Sequence, residues 1–120
     1  MTRTAGLKLL IVDDHAPMRQ TLRALLSPIA SDIHEASDGN QAICLFAEQQ
    51  PDWVLMDVQM KPVNGLDATR TIRRRFPTAR IVIVTQHDDA DLRAEAAMAG
   101  ACAYVLKDNL AALIKLLARE

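Results

Sequence analysis

Aromatic residues are scarce in this sequence. One Trp, one Tyr and two Phe make up 3% of the 120 residues, and they are scattered between positions 46 and 104. Proteins that bind single-stranded nucleic acid without sequence preference stack the bases on clustered aromatic side chains. The scarcity therefore argues against a single-strand binding platform.

An excess of one charge is also lacking. Fourteen Lys and Arg residues oppose fifteen Asp and Glu residues, so the formal net charge is −1. Such a balance gives no general attraction to nucleic acid or to anionic membranes. The one basic run, residues 73 to 75, is typical of a solvated helix face. We therefore do not expect this chain to bind DNA itself.

Long hydrophobic runs and cysteine motifs are absent too. No segment approaches the roughly 20 apolar residues of a membrane span, and the first apolar run is too short for a signal peptide. A cytoplasmic protein without a membrane partner is expected. Cys44 and Cys102 lie in no CxxC or Cys/His pattern. They are predicted to be buried free thiols, not a disulfide or a zinc site.

The residues that are present suit one compact domain over residues 1–120. Half of them are hydrophobic, and a chain of this length has no room for a second domain of ordinary size. Four apolar runs each end on a polar group: LLIVDD, WVLMD, IVIVTQ and AYVLKD. Such runs are typical of strands buried on both faces of a parallel sheet. The more polar stretch DIHEAS, around Ile33, predicts an edge strand.

Segments with helical spacing separate the strands. Apolar residues from Met18 to Ile29 recur at helical intervals behind Pro17, which a first helical turn tolerates. Residues typical of helix starts and stops bound the other helices: Asp38 with Gln41 and Pro51, Asn64 with Pro77, Asp88 or Asp89 with Gly100, and Asp108 or Asn109 before the last apolar stripe. The order is (βα) five times. Right-handed crossovers then give an α/β fold with a doubly wound parallel sheet.

Five polar side chains follow the apolar strands directly. Asp13 and Asp14 end the first strand, Asp57 the third, Thr85 the fourth and Lys107 the fifth. Taken singly, each has a plainer explanation as a helix cap, a strand former or a surface lysine. The carboxyl ends of parallel strands, however, meet at one edge of the sheet, where ligands bind. We therefore expect the five groups to converge.

The chemistry of this set indicates phosphoryl transfer. Clustered carboxylates repel one another unless a cation lies among them. Mg²⁺ prefers oxygen ligands, and it usually takes one or two protein carboxylates and completes its shell with water and phosphate oxygens. An Asp carboxylate can act as the nucleophile. Lysine and hydroxyl groups can balance charge on the transferring oxygens.

Over essentially its whole length the sequence resembles a response-regulator receiver domain. The matching motifs are IVDDH, LMDVQM, VTQ and YVLK, with Gly65 eight residues after Asp57. DDHAPMR, GLDATRTIRRRFP and GACAYVLKD resemble receivers of the NarL/FixJ type in particular. The resemblance implies a flavodoxin-like five-stranded sheet with strand order 2-1-3-4-5. No output domain is expected within the sequence, so the chain is either an excised receiver or acts alone.

The resemblance also implies the role of each site residue. Asp57 would accept a phosphoryl group from a sensor histidine kinase or a phosphotransfer protein. For Mg²⁺, the resemblance implies Asp14 as a direct ligand, Asp13 as a ligand through water and the Gln59 backbone carbonyl as the third protein ligand. Thr85 and Lys107 would bind the phosphoryl oxygens. Tyr104 would be the switch aromatic. Gln59 and His87 match two variable positions that tune phosphoryl lifetime in the family.

A switch of this kind works by a population shift. Phosphorylation would draw Thr85 towards the new charge and turn Tyr104 inward, which changes the surface of the fourth helix, fifth strand and fifth helix. The implied function is control of a transcriptional output, with DNA contacted only through an output domain. A homodimer formed on phosphorylation is a further implied partner. The chain would be no enzyme beyond accepting and hydrolysing its own phosphoryl group.

Two departures and three alternatives accompany this interpretation. Four residues after Asp57, where the family commonly has Pro, this chain has Lys61, and Pro62 comes next. Lys107 is followed by Asp108, whereas in the family a cis-linked Pro is frequent at that position. A haloacid-dehalogenase-type phosphatase needs DxD after its first strand, whereas these acids are adjacent. A flavin or nucleotide binder of this fold needs a Gly-rich phosphate loop after its first strand, whereas DDHAPM follows the first strand here. A phosphate-independent pseudo-receiver would not need the complete acceptor set.

Overall fold

A computed structural model describes residues 6–118. Within these residues, five strands and five α-helices alternate. The strands are β1 (Leu7–Val12), β2 (Ala30–Ala36), β3 (Trp53–Met56), β4 (Ile81–Thr85) and β5 (Ala103–Leu106). The helices are α1 (Ala16–Leu26), α2 (Gly39–Gln49), α3 (Gly65–Arg75), α4 (Ala90–Ala99) and α5 (Leu110–Ala118). All strand pairs are parallel, in the order β2-β1-β3-β4-β5. The predicted (βα)5 fold and strand order are confirmed.

The sheet separates two apolar clusters, because successive residues of a strand point to opposite faces. In β1, Leu9 and Ile11 pack with α1 and α5, whereas Leu10 and Val12 pack with α2, α3 and α4. All four side chains are almost completely buried. Burial on both faces explains the unbroken apolar runs in the sequence. Edge strand β2 is more exposed, in agreement with its polar sequence.

The starts of α2, α3 and α4 and the end of α4 follow the predicted capping residues. The Asp38, Asn64 and Asp89 side chains accept hydrogen bonds from backbone N–H groups at the starts of α2, α3 and α4. Gly100 ends α4 with φ +105°, a left-handed conformation that glycine adopts without a steric penalty. Among residues 6–118, no helix is long and apolar enough to cross a membrane.

Two predictions made from the sequence are wrong in detail. Cys44 and Cys102 are free thiols as predicted, but both are exposed instead of buried. Cys44 lies on α2 two positions from the buried Phe46 and so faces away from the sheet, and Cys102 lies in the turn before β5. Ile29 belongs to a short 3₁₀ turn, Ser27–Ile29, and not to α1. Pro28 explains this end, because it lacks the N–H that an α-helix would use.

Candidate functional site

A cleft of about 380 Å³ opens at the carboxyl edge of the sheet. Its lining includes all five strand-end side chains, and the loops add four more residues: His15, Gln59, Gln86 and His87. The sequence thus correctly predicted the convergence of the five groups. The sheet hydrogen bonds continue one residue beyond the strands, with Asp13 N–H donating to the Ala36 carbonyl and Asp57 N–H to the Val12 carbonyl. These bonds fix the backbone from which both acids project.

The acidic cluster contains Asp13, Asp14 and Asp57, whose ligand oxygens all lie within 4.8 Å of one another. Asp13 and Asp57 are buried, whereas Asp14 is exposed. The ammonium of Lys107 lies 2.9 Å from Asp13 Oδ2 and 3.3 Å from Asp57 Oδ1. One cation therefore opposes three carboxylates, and the site keeps a surplus of negative charge.

Burial and the neighbouring charges both change the pKa values of Asp57 and Lys107. Burial, with a further contribution from the Asp13 charge, raises the pKa of Asp57 to about 6, although Lys107 acts in the opposite direction. Burial alone would lower the pKa of Lys107, but its hydrogen bond to Asp13 and the charge of Asp57 outweigh this, so the pKa lies above its ordinary value. At neutral pH the site holds an ionised but poorly solvated Asp57 carboxylate beside a charged lysine.

The two adjacent acids differ in what they have free to offer a ligand. Asp13 Oδ2 pairs with Lys107, and its Oδ1 accepts a hydrogen bond of 2.9 Å from the His15 N–H. No hydrogen bond or ion pair within residues 6–118 engages the Asp14 carboxylate. A divalent cation fits this donor set, because three clustered carboxylates carry more charge than Lys107 neutralises and Asp14 has its oxygens free.

A second group of contacts leads from the cleft to the surface of α4. Thr85 Oγ1 accepts a hydrogen bond of 3.3 Å from the His87 N–H, and the Tyr104 hydroxyl donates one of 2.5 Å to the His87 carbonyl. The guanidinium of Arg93 lies 4.4 Å from the centre of the Tyr104 ring and is hydrogen-bonded to Asp88. Sequence reasoning missed Arg93, because nothing in its spacing signals a contact with β5.

Gly65 is required by the close packing of α3 against the backbone of Asp57. A Cβ at position 65 would lie 1.8 Å from the Asp57 carbonyl oxygen, far inside van der Waals contact. The Gly65 N–H also donates to the Val58 carbonyl at 2.9 Å. In the adjoining loop the Lys61–Pro62 peptide is cis, whereas the Lys107–Asp108 peptide is trans. The loop after Asp57 is therefore tied to the start of α3.

Comparison with known proteins settles the family. Residues 9–118 match the response regulator receiver domain. The chain belongs to this family. LiaR of Bacillus subtilis, a transcriptional regulatory protein, is 37% identical over 110 residues, which cover 90% of this receiver domain and 52% of LiaR. The chain thus spans about half the length of LiaR.

Two other proteins extend the comparison. The chemotaxis protein CheY of Thermotoga maritima is 34% identical over 103 residues, covering 85% of this receiver domain and 86% of CheY. The crystal structure of a two-component response regulator of the LuxR family from Aurantimonas sp. SI85-9A1 has a TM-score of 0.86 and 33% identity, covering 97% of this chain and 88% of that one. Both the NarL/FixJ-type resemblance and the flavodoxin-like fold are thereby confirmed.

Proposed function

We propose that this receiver domain is a phosphorylation-dependent switch of a two-component system and that Asp57 accepts the phosphoryl group. The observation that carries the proposal is the environment of the Asp57 carboxylate. It is 7% exposed, faces the cleft, lies 3.3 Å from Lys107 and has two further carboxylates within 4.8 Å. A buried carboxylate with few solvating partners, open to a polar cleft, is suited to act as a nucleophile.

In the proposed reaction an Asp57 carboxylate oxygen attacks the phosphorus of a phosphohistidine on a sensor kinase or phosphotransfer protein. The P–N bond breaks as the new P–O bond forms, and the imidazole leaves with the electron pair. Lys107 and Thr85, which both line the cleft, would balance the charge on the phosphoryl oxygens. Attack of water on the acyl phosphate would return the free carboxylate and inorganic phosphate. No other enzymatic activity is proposed.

Mg²⁺ is the cofactor that these residues suit. Asp14 and Asp57 would be direct ligands, with the Gln59 backbone carbonyl as the third, and Asp13 would act through water because its oxygens already hold Lys107 and the His15 N–H. When bound, the ion neutralises charge on the phosphoryl oxygens and keeps the acids ionised. The protein's own part is to hold the acids together and to orient Asp57 towards the donor.

The proposed switch uses the contacts between the cleft and α4. Movement of Thr85 towards a phosphoryl group would change its hydrogen bond with His87, whose carbonyl holds the Tyr104 hydroxyl. The position of Tyr104 would then alter the surface formed by α4, β5 and α5. A homodimer on phosphorylation and a transcriptional output through an attached DNA-binding domain are further parts of the proposal. A cytoplasmic location stays a prediction.

Phosphorylation of the intact chain tests this proposal. The chain is incubated with Mg²⁺ and acetyl phosphate, and intact mass is measured for wild type, Asp57→Asn and the control Asp91→Asn, which changes an exposed acid on α4. We expect one phosphoryl group on wild type and control, none on Asp57→Asn, and none when EDTA removes the metal. An unmodified wild type, or an adduct that persists in Asp57→Asn, would refute the assignment. Steady hydrolysis of a small phosphate ester would instead support the phosphatase alternative.

A further inference from the structure

Arg19 joins the acidic turn to both α1 and β2. The residue lies in the first turns of α1, and its side chain is largely buried. Its Nη1 donates a hydrogen bond of 2.7 Å to the backbone carbonyl of Asp13, while its Nε donates one of 2.9 Å to Glu35 Oε1 on β2. One guanidinium thus binds two partners in different directions, as its planar set of donors permits.

The position of the Asp13 carbonyl controls the position of Asp14, because this carbonyl and the Asp14 N–H belong to one planar peptide group. Two other bonds restrain this turn, one on each side of the Asp13–Asp14 peptide: the Asp13 N–H donates to the Ala36 carbonyl, and Asp13 Oδ1 accepts from the His15 N–H. With the carbonyl also held by Arg19, the orientation of the Asp13–Asp14 peptide is fixed. Asp14 then has little freedom beyond its own side-chain rotamers.

The restraint on the Asp13–Asp14 peptide matters because the three carboxylates of the acidic cluster repel one another. Lys107 holds Asp13 and Asp57, but Asp14 is exposed and engages no partner among residues 6–118. Repulsion from the two neighbouring carboxylates acts to move it away. A turn free to relax outward would have to be drawn back when a cation binds, and this rearrangement would reduce the affinity.

We propose that Arg19 is a positioning residue for the metal-binding turn, which holds the Asp13 carbonyl so that the Asp14 carboxylate stays beside Asp57 before a cation binds. Glu35 supports this role by fixing the guanidinium from the opposite side. The inference rests on the Mg²⁺ site proposed above. It assigns to Arg19 no contact with the ion or with the phosphoryl group.

Arg23 provides a matched control within the same ion-pair network. It donates to Glu35 Oε2 at 2.6 Å and to the Ile33 carbonyl at 3.0 Å, one helical turn after Arg19, but it does not contact Asp13. Removing either arginine deletes one positive charge beside Glu35. By charge alone, either deletion would tighten binding of a divalent cation. Only the deletion of Arg19 releases the Asp13 carbonyl. For that variant the positioning role predicts weaker binding of the cation, whereas the loss of charge alone predicts tighter binding.

The test measures Mg²⁺ binding directly, without phosphorylation. Amide NMR shifts of the intact chain are titrated with MgCl₂ for wild type, Arg19→Ala, Arg19→Lys and Arg23→Ala, and the free energy of unfolding is measured for each. We expect Arg19→Ala to weaken Mg²⁺ binding about 10-fold, the lower end of the effect seen when groups supporting metal ligands are removed. Arg23→Ala should bind Mg²⁺ as tightly as wild type or more tightly, although it also loses stability.

Arg19→Lys separates geometry from charge and remains informative if Arg19→Ala does not fold. Its single ammonium keeps the charge but lacks the fork that reaches Asp13 and Glu35 together, so binding should still be weakened. Wild-type affinity in both Arg19 variants, or an equal loss in Arg23→Ala, would overturn the inference and leave the metal site intact. A wild-type chain that fails to bind Mg²⁺ would overturn the metal site itself, and the positioning role with it.

Discussion

The Tyr104 hydroxyl donates a hydrogen bond of 2.5 Å to the backbone carbonyl of His87. The His87 N–H donates a hydrogen bond to Thr85 Oγ1 at the end of β4. His87 is therefore connected at one end to the cleft and at the other to an aromatic ring on β5. A displacement of either partner would change a hydrogen bond to His87 in the loop between β4 and α4.

Arg93 should stabilise the observed position of the Tyr104 ring. Burial raises the pKa of the Tyr104 hydroxyl, and the nearby Arg93 cation partly opposes the increase, whereas Asp89 and Asp88 add to it. Arg93→Ala is therefore expected to raise this pKa further. The loss of the cation over the ring should also lower the free energy of unfolding by about 0.5–1 kcal/mol. Tyr104 is the only tyrosine in the chain, so absorbance at the tyrosinate band reports its titration alone.

Arg74→Ala is the control for this measurement, because Arg74 is an exposed arginine on α3. It should leave the Tyr104 titration at the wild-type position. A Tyr104 titration midpoint that stays unchanged or falls in Arg93→Ala would contradict the assigned contact.

The ionised Asp57 carboxylate should destabilise the metal-free fold. Its pKa is about 6 in the folded chain against 3.8 for an unperturbed Asp, so the folded state binds the proton more tightly than the unfolded state. The stabilisation from this proton is complete below pH 3.8 and is lost as the pH rises through 6. We expect Asp57→Asn to raise the free energy of unfolding at pH 8 by about 1–3 kcal/mol.

Chemical denaturation at several pH values in EDTA measures this effect. The advantage of Asp57→Asn over wild type should shrink as the pH falls towards 4, where the wild-type carboxyl is protonated, and Mg²⁺ should stabilise wild type more than the variant. An advantage that is the same at both pH values would show that the variant acts through packing and not through ionisation.

Gly65→Ala should disturb Asp57 through its backbone. Since the added methyl group would overlap the Asp57 carbonyl, α3 or the strand end must shift, and we expect a loss of about 1–3 kcal/mol in stability. Phosphorylation by acetyl phosphate should slow as well. Gly100→Ala is the comparison, because it strains a left-handed position at the end of α4, outside the cleft. It should lose stability but keep the wild-type phosphorylation rate.

The sequence predicted those parts of the structure that depend on local patterns. The apolar runs predicted the strands, and Asp38, Asn64, Asp89 and Gly100 predicted helix ends, since caps act on backbone groups within a few residues. The convergence at the cleft followed from the rule that parallel strands end at one edge. The family resemblance then predicted strand order.

Contacts between distant side chains could not be predicted in this way. Arg19 binds Glu35 and Arg93 covers Tyr104 because the register of the sheet brings α1 to β2 and α4 to β5. The spacing of the residues around Arg19 and Arg93 does not distinguish these two arginines from the exposed residues of the same helices. The exposure of Cys44 was missed for a related reason, because a small apolar residue on an amphipathic helix can lie on either face.

The two apolar clusters on opposite faces of the sheet have no side chain in common. Among residues 6–118, the strand backbones lie between the two clusters and connect them. Mutations on the α1–α5 face and on the α2–α3–α4 face should therefore accumulate almost independently during evolution. The domain can then diverge in the helices of one face while the packing of the other stays intact.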